Sequence, residues 1–272
     1  MKNTYLKVEM LLRPGWILGV AQLGVLLMVP VLGYASPISG NLVLTGNGTQ
    51  ETGLSLLNID QDYLGTASGN PPIGSIPADG GDDDGKFNIG NSSTGSFAPL
   101  IGVLATVHDL NFSADPVGST TGSGLPLTNF VTFAGSSLTL TLTELLPGAF
   151  SSASCGGAPA QGQTCTPAGS PYNLSNIAGG EATLSFSFFG TASDGIPADT
   201  TNFSGSFSDT FSGTNLQAIA TALENNETIV SGLTGSVTAT TPEPASISMM
   251  LIGGMLIAGF VIYRRRNAVS IS

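Results

Sequence analysis

Leu138-Thr139-Leu140-Thr141-Leu142-Thr143 alternates apolar and hydroxyl side chains residue by residue. A strand turns successive side chains to opposite faces, so one face of this stretch is apolar and the other polar. The same period recurs at Leu184-Ser185-Phe186-Ser187-Phe188, and Phe203, Phe207 and Phe211 have the even spacing that puts three rings on one face. Leu42-Val43-Leu44, Leu54 to Ile59, Phe130 to Phe133 and Ile229 to Val237 are further strand candidates, separated by turns rich in glycine and proline. Short strands with this punctuation predict an all-β domain, an antiparallel β-sandwich or a barrel. One segment departs from the pattern. Leu216, Ile219, Ala220 and Leu223 follow the i, i+3, i+4, i+7 spacing of a short helix packed on the sheet, with Thr214 and Gln217 as a capping box. A second helical candidate, Phe97 to Leu104, is interrupted by Pro99 and Gly102.

Outward from this β-rich middle, both ends of the chain change character. Thr241-Pro242-Glu243-Pro244 precedes an uncharged run from Ala245 to Tyr263, and Arg264-Arg265-Arg266 follows it. Two prolines fix φ and end any strand or helix before them. At about 1.5 Å per residue, the apolar run as a helix just crosses a hydrocarbon core about 30 Å thick. The arginines hold the cytoplasmic side. At the other end Lys2, Lys7 and Arg13 form a basic region, Trp16 to Leu32 is apolar, and Gly33-Tyr34-Ala35 supplies small residues for cleavage between Ala35 and Ser36. The expected organisation is a signal peptide over 1–35, a β-rich exported domain over 36–241, a C-terminal anchor segment over 242–266 and a cytoplasmic tail over 267–272.

Pro242-Glu243-Pro244, the glycine-bearing apolar helix and the Arg264–Arg266 cluster together resemble the PEP-CTERM sorting signal of exported proteins in Gram-negative bacteria. The resemblance covers only Pro242 to about Arg266. It implies recognition and trimming near the motif by an exosortase-like membrane protease, after passage through the export translocon and signal peptidase. It also implies a precursor anchored in the inner membrane, then a periplasmic, outer-surface or extracellular-matrix location, with a role associated with exopolysaccharide and biofilm.

Six of the seven basic residues lie in the two end segments, so residues 36–241 keep only Lys86 against sixteen acidic residues. Such a region repels phosphate backbones, which excludes nucleic acid as a partner. With no arginine there, the bidentate clamp for phosphates and carboxylates is also missing. Cys155 and Cys165, in an oxidising compartment, predict a disulfide worth about 2–3 kcal/mol in the chain-entropy model. Gly65-Thr66-Ala67-Ser68 leading to Ile76-Pro77-Ala78-Asp79 is echoed by Gly190-Thr191-Ala192-Ser193 leading to Ile196-Pro197-Ala198-Asp199, which leaves two related β-halves open beside chance similarity.

The chemistry-bearing residues are few. His108 is the sole histidine, and Asp109 or Asp115 could orient it in a serine triad. Neighbours on a strand face opposite ways, and no nucleophile elbow in a strand–turn–helix setting accompanies it, so a half-exposed strand histidine is the expected reading. Asp79-Gly80-Gly81-Asp82-Asp83-Asp84-Gly85 offers hard oxygen ligands on a flexible loop, which suits a weak calcium site at Asp79, Asp82, Asp83 and Asp84. The EF-hand register fails there, and a solvated acidic turn is the plainer reading. Tyr63 and Tyr172 are the only Tyr or Trp in residues 36–241, which argues against a glycosidase or an ordinary sugar groove. Asn-x-Ser/Thr triplets at Asn47, Asn111, Asn173 and Asn202 arise by chance in so Asn-, Ser- and Thr-rich a chain, and sequence alone does not choose among them. The expectation is an exported, non-enzymatic surface or matrix protein without a cofactor. The alternatives are a calcium-dependent glycan- or protein-binding module and a secreted hydrolase using carboxylates.

Overall fold

A computed structural model of the chain describes residues 36–47, 51–63, 67–74, 84–241 and Ile257. The chain parts into two units, Met1–Ser36 and Pro37–Ser272, and every described strand and helix belongs to the second. Its strands in chain order are β1 (Gly40–Gly46), β2 (Glu51–Leu54), β3 (Asn58–Tyr63), β4 (Ala67–Ser68), β5 (Ile73–Gly74), β6 (Asp84–Ile89), β7 (Leu104–His108) and β8 (Leu110–Asn111). There follow β9 (Leu127–Phe133), β10 (Thr139–Leu145), β11 (Thr164–Cys165), β12 (Asn173–Asn176), β13 (Ala182–Ser193), β14 (Thr201–Phe211), β15 (Thr228–Ser231) and β16 (Thr234–Ala239). A single α-helix, α1 (Leu216–Glu224), lies between β14 and β15 among the described residues.

The alternating stretches are the staves of a barrel. Hydrogen bonding runs β10-β9-β7-β6-β1-β16-β14-β13, and β13 pairs back onto β10, which closes eight antiparallel strands into a ring. Closure removes the exposed edges that an open sheet would carry. Of the two architectures the pattern allows, this is the barrel. β13 is long enough to serve twice on one edge: Asn173–Asn176 pairs with its first half and Thr139–Leu145 with its second. The apolar alternates point inward. Leu140, Leu142, Leu184, Phe186, Phe188 and Phe207 are wholly buried. Phe207 packs against Phe87, Phe186 and Phe188 at centroid distances of 5.7, 5.4 and 5.6 Å.

Ring-filled interiors need matching gaps, and glycine supplies them in register. Phe188 stands opposite Gly205, Phe203 opposite Gly190 and Phe207 opposite Gly235. A Cβ on Gly205 would fall 2.5 Å from the Phe188 ring, and one on Gly235 would fall 2.6 Å from the Phe207 ring. Each ring therefore lies over the glycine beside it, a cross-strand pairing that recovers the packing a bare glycine gives up.

A second sheet, in the order β4-β5-β15-β2-β3-β8, lies against the barrel. β3 passes over β6 so closely that a Cβ on Gly85 would meet the backbone of Gln61. Tyr172, fully buried, donates its hydroxyl to the Ser55 carbonyl at 2.7 Å and so ties the β2–β3 turn to the barrel side.

Several expectations require correction. Leu54 to Ile59 is not one strand: Leu54 ends β2 and Asn58–Ile59 open β3, because the Ser55 hydroxyl accepts the Leu57 and Asn58 amides and folds the chain back between them. Leu57 is left 67% exposed on that turn. Ile229 to Val237 divides at Gly232 into β15 and β16, which belong to different sheets. The Phe97–Leu104 candidate is a 3-10 turn over Gly95–Leu100, after which Leu104 already opens β7. The helix is capped one residue later than expected: the Asn215 side chain accepts the Ala218 amide at 2.9 Å, while the buried Thr214 hydroxyl has no partner. In the echoed blocks, Ala67–Ser68 forms a two-residue strand of the second sheet, whereas Gly190–Ser193 ends a twelve-residue barrel strand. Where described, the two blocks occupy unlike positions, and residues 64–66 and 75–79 lie outside the described residues. The signal segment through Ala35, Pro242-Glu243-Pro244, Arg264–Arg266 and all of Ala245–Tyr263 except Ile257 lie outside them too. Among the described residues no helix is long and apolar enough to cross a membrane.

Candidate functional site

β3 carries Asp60, Gln61 and Asp62 in succession, so the two aspartates share one face of the strand. β8 pairs with β3 at Asn58↔Asn111 and Ile59↔Leu110, which brings Asp109 alongside Asp60. Asp109 is the single residue between β7 of the barrel and β8 of the second sheet, the corner where the chain passes from one sheet to the other. One ligand oxygen from each of Asp60, Asp62 and Asp109 falls within 4.8 Å of the others. Asp62 is buried, and its two neighbours are half-buried.

Backbone contacts hold this geometry. An Asp109 carboxylate oxygen accepts the Gln61 amide at 2.6 Å, and one of Asp60 accepts the Asp62 amide at 3.2 Å. The negative potential extends to the next residue of β3. Burial raises the pKa of the Tyr63 hydroxyl above its ordinary value, and the nearby Asp60 and Glu51 charges add to the rise. Two oxygens bound to one calcium-sized ion lie at most about 4.6–5.2 Å apart, so separations within 4.8 Å are compatible with a shared ion. The set is all oxygen, with no imidazole or thiolate, and could hold a hard divalent cation.

The sequence did not single out Asp60 and Asp62, and it weighed Asp109 only as a triad partner. The Asp-x-Asp alternation on a strand was the local signal available, but the third carboxylate lies 47 residues beyond Asp62 and is delivered by the sheet-to-sheet crossing. Of the expected calcium set, Asp79, Asp82 and Asp83 lie outside the described residues. Asp84 opens β6 with its backbone paired to His108, the residue before Asp109. Asp84 is thus the one member of the expected set whose backbone is described, one register position from the carboxylate corner.

His108 ends β7, half-exposed, as a strand histidine would. Of the two acids considered as its orienting partners, Asp109 accepts the Gln61 amide at 2.6 Å and Asp115 accepts the Asn111 amide at 3.1 Å. Another acid, Asp209, lines a groove of about 500 Å³ with Asn70, Pro72, Phe211 and Val230. It is taken up structurally, accepting the Ser231 hydroxyl at 2.8 Å, the Gly232 amide at 3.0 Å and the Thr210 amide at 2.7 Å. Neither tyrosine offers an open ring, since Tyr63 is 5% exposed and Tyr172 0%.

Cys155 and Cys165 form the expected disulfide, with Cα atoms 5.3 Å apart. It anchors more than its own loop. Gln163, within that loop, accepts from Gln217 of α1 at 2.7 Å, and Gln217 in turn accepts from Asn176 of β12 at 3.1 Å. The chain matches no family model, no curated protein and no solved structure among those compared with it.

Proposed function

We propose that this chain is an exported, non-enzymatic surface or matrix module: a rigid barrel released from its membrane anchor by exosortase-like trimming at Pro242-Glu243-Pro244 and associated with exopolysaccharide. The observation that supports it most is the placement of the barrel between the two end segments. β1 begins four residues after Ser36, and β16 ends three residues before Pro242. Those two strands are direct neighbours, Gly40 facing Ala239. Every barrel strand thus lies between the two expected cuts, and removing both end segments costs the ring no stave. Glu243→Ala leaves the barrel folded and impairs trimming. Intact mass of the protein recovered from cells and medium tests the reading. A species beginning at Ser36 and ending near Pro242 to Pro244 supports it; a species that keeps Ala245 to Ser272 in both fractions overturns it.

A second feature of the same module is calcium binding at Asp60, Asp62 and Asp109, favoured by the convergence of three carboxylates at the β7–β8 crossing. Bound calcium would offset most of the charge of the three carboxylates and brace the β7–β8 crossing, giving a calcium-dependent surface for a glycan or protein partner. Extracellular sites of this kind work at millimolar calcium. Calcium at roughly ten to thirty times its Kd raises Tm by about 3–8 °C for a domain of this size, chelator reverses the rise, and Asp60→Asn with Asp109→Asn abolishes it. An equal rise in the double variant would assign the effect to another site.

A further inference from the structure

The structure separates the Asn-x-Ser/Thr triplets that sequence alone leaves equivalent. Asn202 and Ser204 lie inside β14, which is paired on both sides, to β13 and to β16. Asn173 is half-buried in β12, and its side-chain oxygen accepts the Ala149 amide at 2.7 Å. Asn91 is exposed, but its hydroxyl partner Ser93 is 5% exposed and its Oγ accepts the Val43 amide. Asn226 is followed by Thr228, which is already paired within β15. The triplet of Asn47 runs out of the described residues.

Asn111 differs from all of these. It is exposed at the end of β8, the edge strand of the second sheet. The chain then turns, with the Ala114 and Asp115 amides both donating to the Asn111 carbonyl, at 2.9 and 2.7 Å. In that turn Ser113 is exposed and donates both its hydroxyl and its amide to Asn111 Oδ1, at 2.6 and 3.0 Å. With Oδ1 accepting twice, the amide nitrogen Nδ2 is the remaining polar group of this exposed side chain. Both residues that a transferase must read are therefore exposed together, Asn111 at the last paired position of an edge strand and Ser113 in the turn that follows it.

We infer that Asn111 is the N-glycan acceptor of this chain. The inference rests on the export reading, because an exported chain meets a glycan transferase on the far side of the membrane. The donor class is an activated glycosyl diphosphate. Nδ2 forms a bond to the anomeric carbon, the anomeric C–O bond breaks, the diphosphate leaves with the electron pair, and the amide gives one proton to a base of the transferase. The glycan would stand beside the Asp60, Asp62 and Asp109 corner.

The test is mass spectrometry of the protein exported by its own cells, intact and after digestion with a non-tryptic protease, since Lys86 is the only tryptic site in residues 36–241. The expected result is an intact mass above that of the polypeptide by at least one sugar, located on the peptide containing Asn111. The addition disappears in both Asn111→Gln and Ser113→Ala and persists in Asn202→Gln. The N-terminus read from the same spectra keeps the two readings apart. An exported chain beginning at Ser36 with bare polypeptide mass, or an addition retained in Asn111→Gln, overturns the acceptor assignment alone. A chain still beginning at Met1 overturns the export reading and this one with it.

Discussion

Asp115 shows how a single side chain can work against the fold that holds it. It is 4% exposed, its Oδ1 has no partner, and a Cβ on Gly124 would collide with that oxygen. Burial raises the carboxyl pKa above its ordinary value, opposed in part by the Asn111 amide. A carboxyl whose folded pKa exceeds its unfolded pKa binds its proton more tightly in the native state. Its contribution to stability is full below the unfolded value and is lost as pH rises through the folded one. Asp115→Asn has no charge to bury, so its Tm at neutral pH should equal or exceed that of the wild type, and the wild type should gain on it as pH falls from about 7 to about 4. Thermal melts of both proteins across that range provide the check, and parallel curves would show that Asp115 is not desolvated. Sequence reading noticed Asp115 only as a triad candidate. Its burial depends on the loop that folds over it, which no local pattern encodes.

At the scale of the element, α1 was legible from its apolar period and its cap was not. Leu216, Ile219, Ala220 and Leu223 are all buried, as the spacing requires. Thr214 and Asn215 are both acceptable N-caps by type. The choice falls to Asn215 because Leu216 gives its amide to Asn176 of β12, which fixes where the helix starts, and because Gln217 is drawn into the network with Asn176 and Gln163 instead of reaching back. Asn215→Ala should lose about 1 kcal/mol of stability, whereas Thr214→Val, which removes a buried hydroxyl without a partner, should be neutral or mildly stabilising. Chemical denaturation of the two variants distinguishes them, and the reverse order would place the cap at Thr214. The strands divide in the same way. The Leu/Thr and Phe/Ser alternations became β10 and β13 because their period matches the pleat. Leu54 to Ile59 did not become a single strand, because the Ser55 hydroxyl captures the Leu57 and Asn58 amides and turns the chain between β2 and β3.

At the scale of the whole molecule, the ring closes entirely with strands between Gly40 and Ala239, β1 pairing with β16. Precursor and processed forms should therefore melt within about 2 °C of each other, a shift corresponding to less than 1 kcal/mol in a domain of this length. A large loss of Tm on trimming would mean that the end segments brace the barrel. The charge imbalance also belongs to this scale. Sixteen acidic residues against Lys86 were plain in the sequence, but the gathering of three of them at the β7–β8 corner was not. Sequence alone determined the mostly-β class and the disulfide, because alternation and cysteine count are properties of the chain before it folds. Only the tertiary structure decided between sandwich and barrel, assembled Asp60 and Asp62 with Asp109, and distinguished Asn111 from the other acceptor triplets. Each of these depends on which strands become neighbours, and strand neighbourhood is set by packing between residues far apart in sequence, which no local period records.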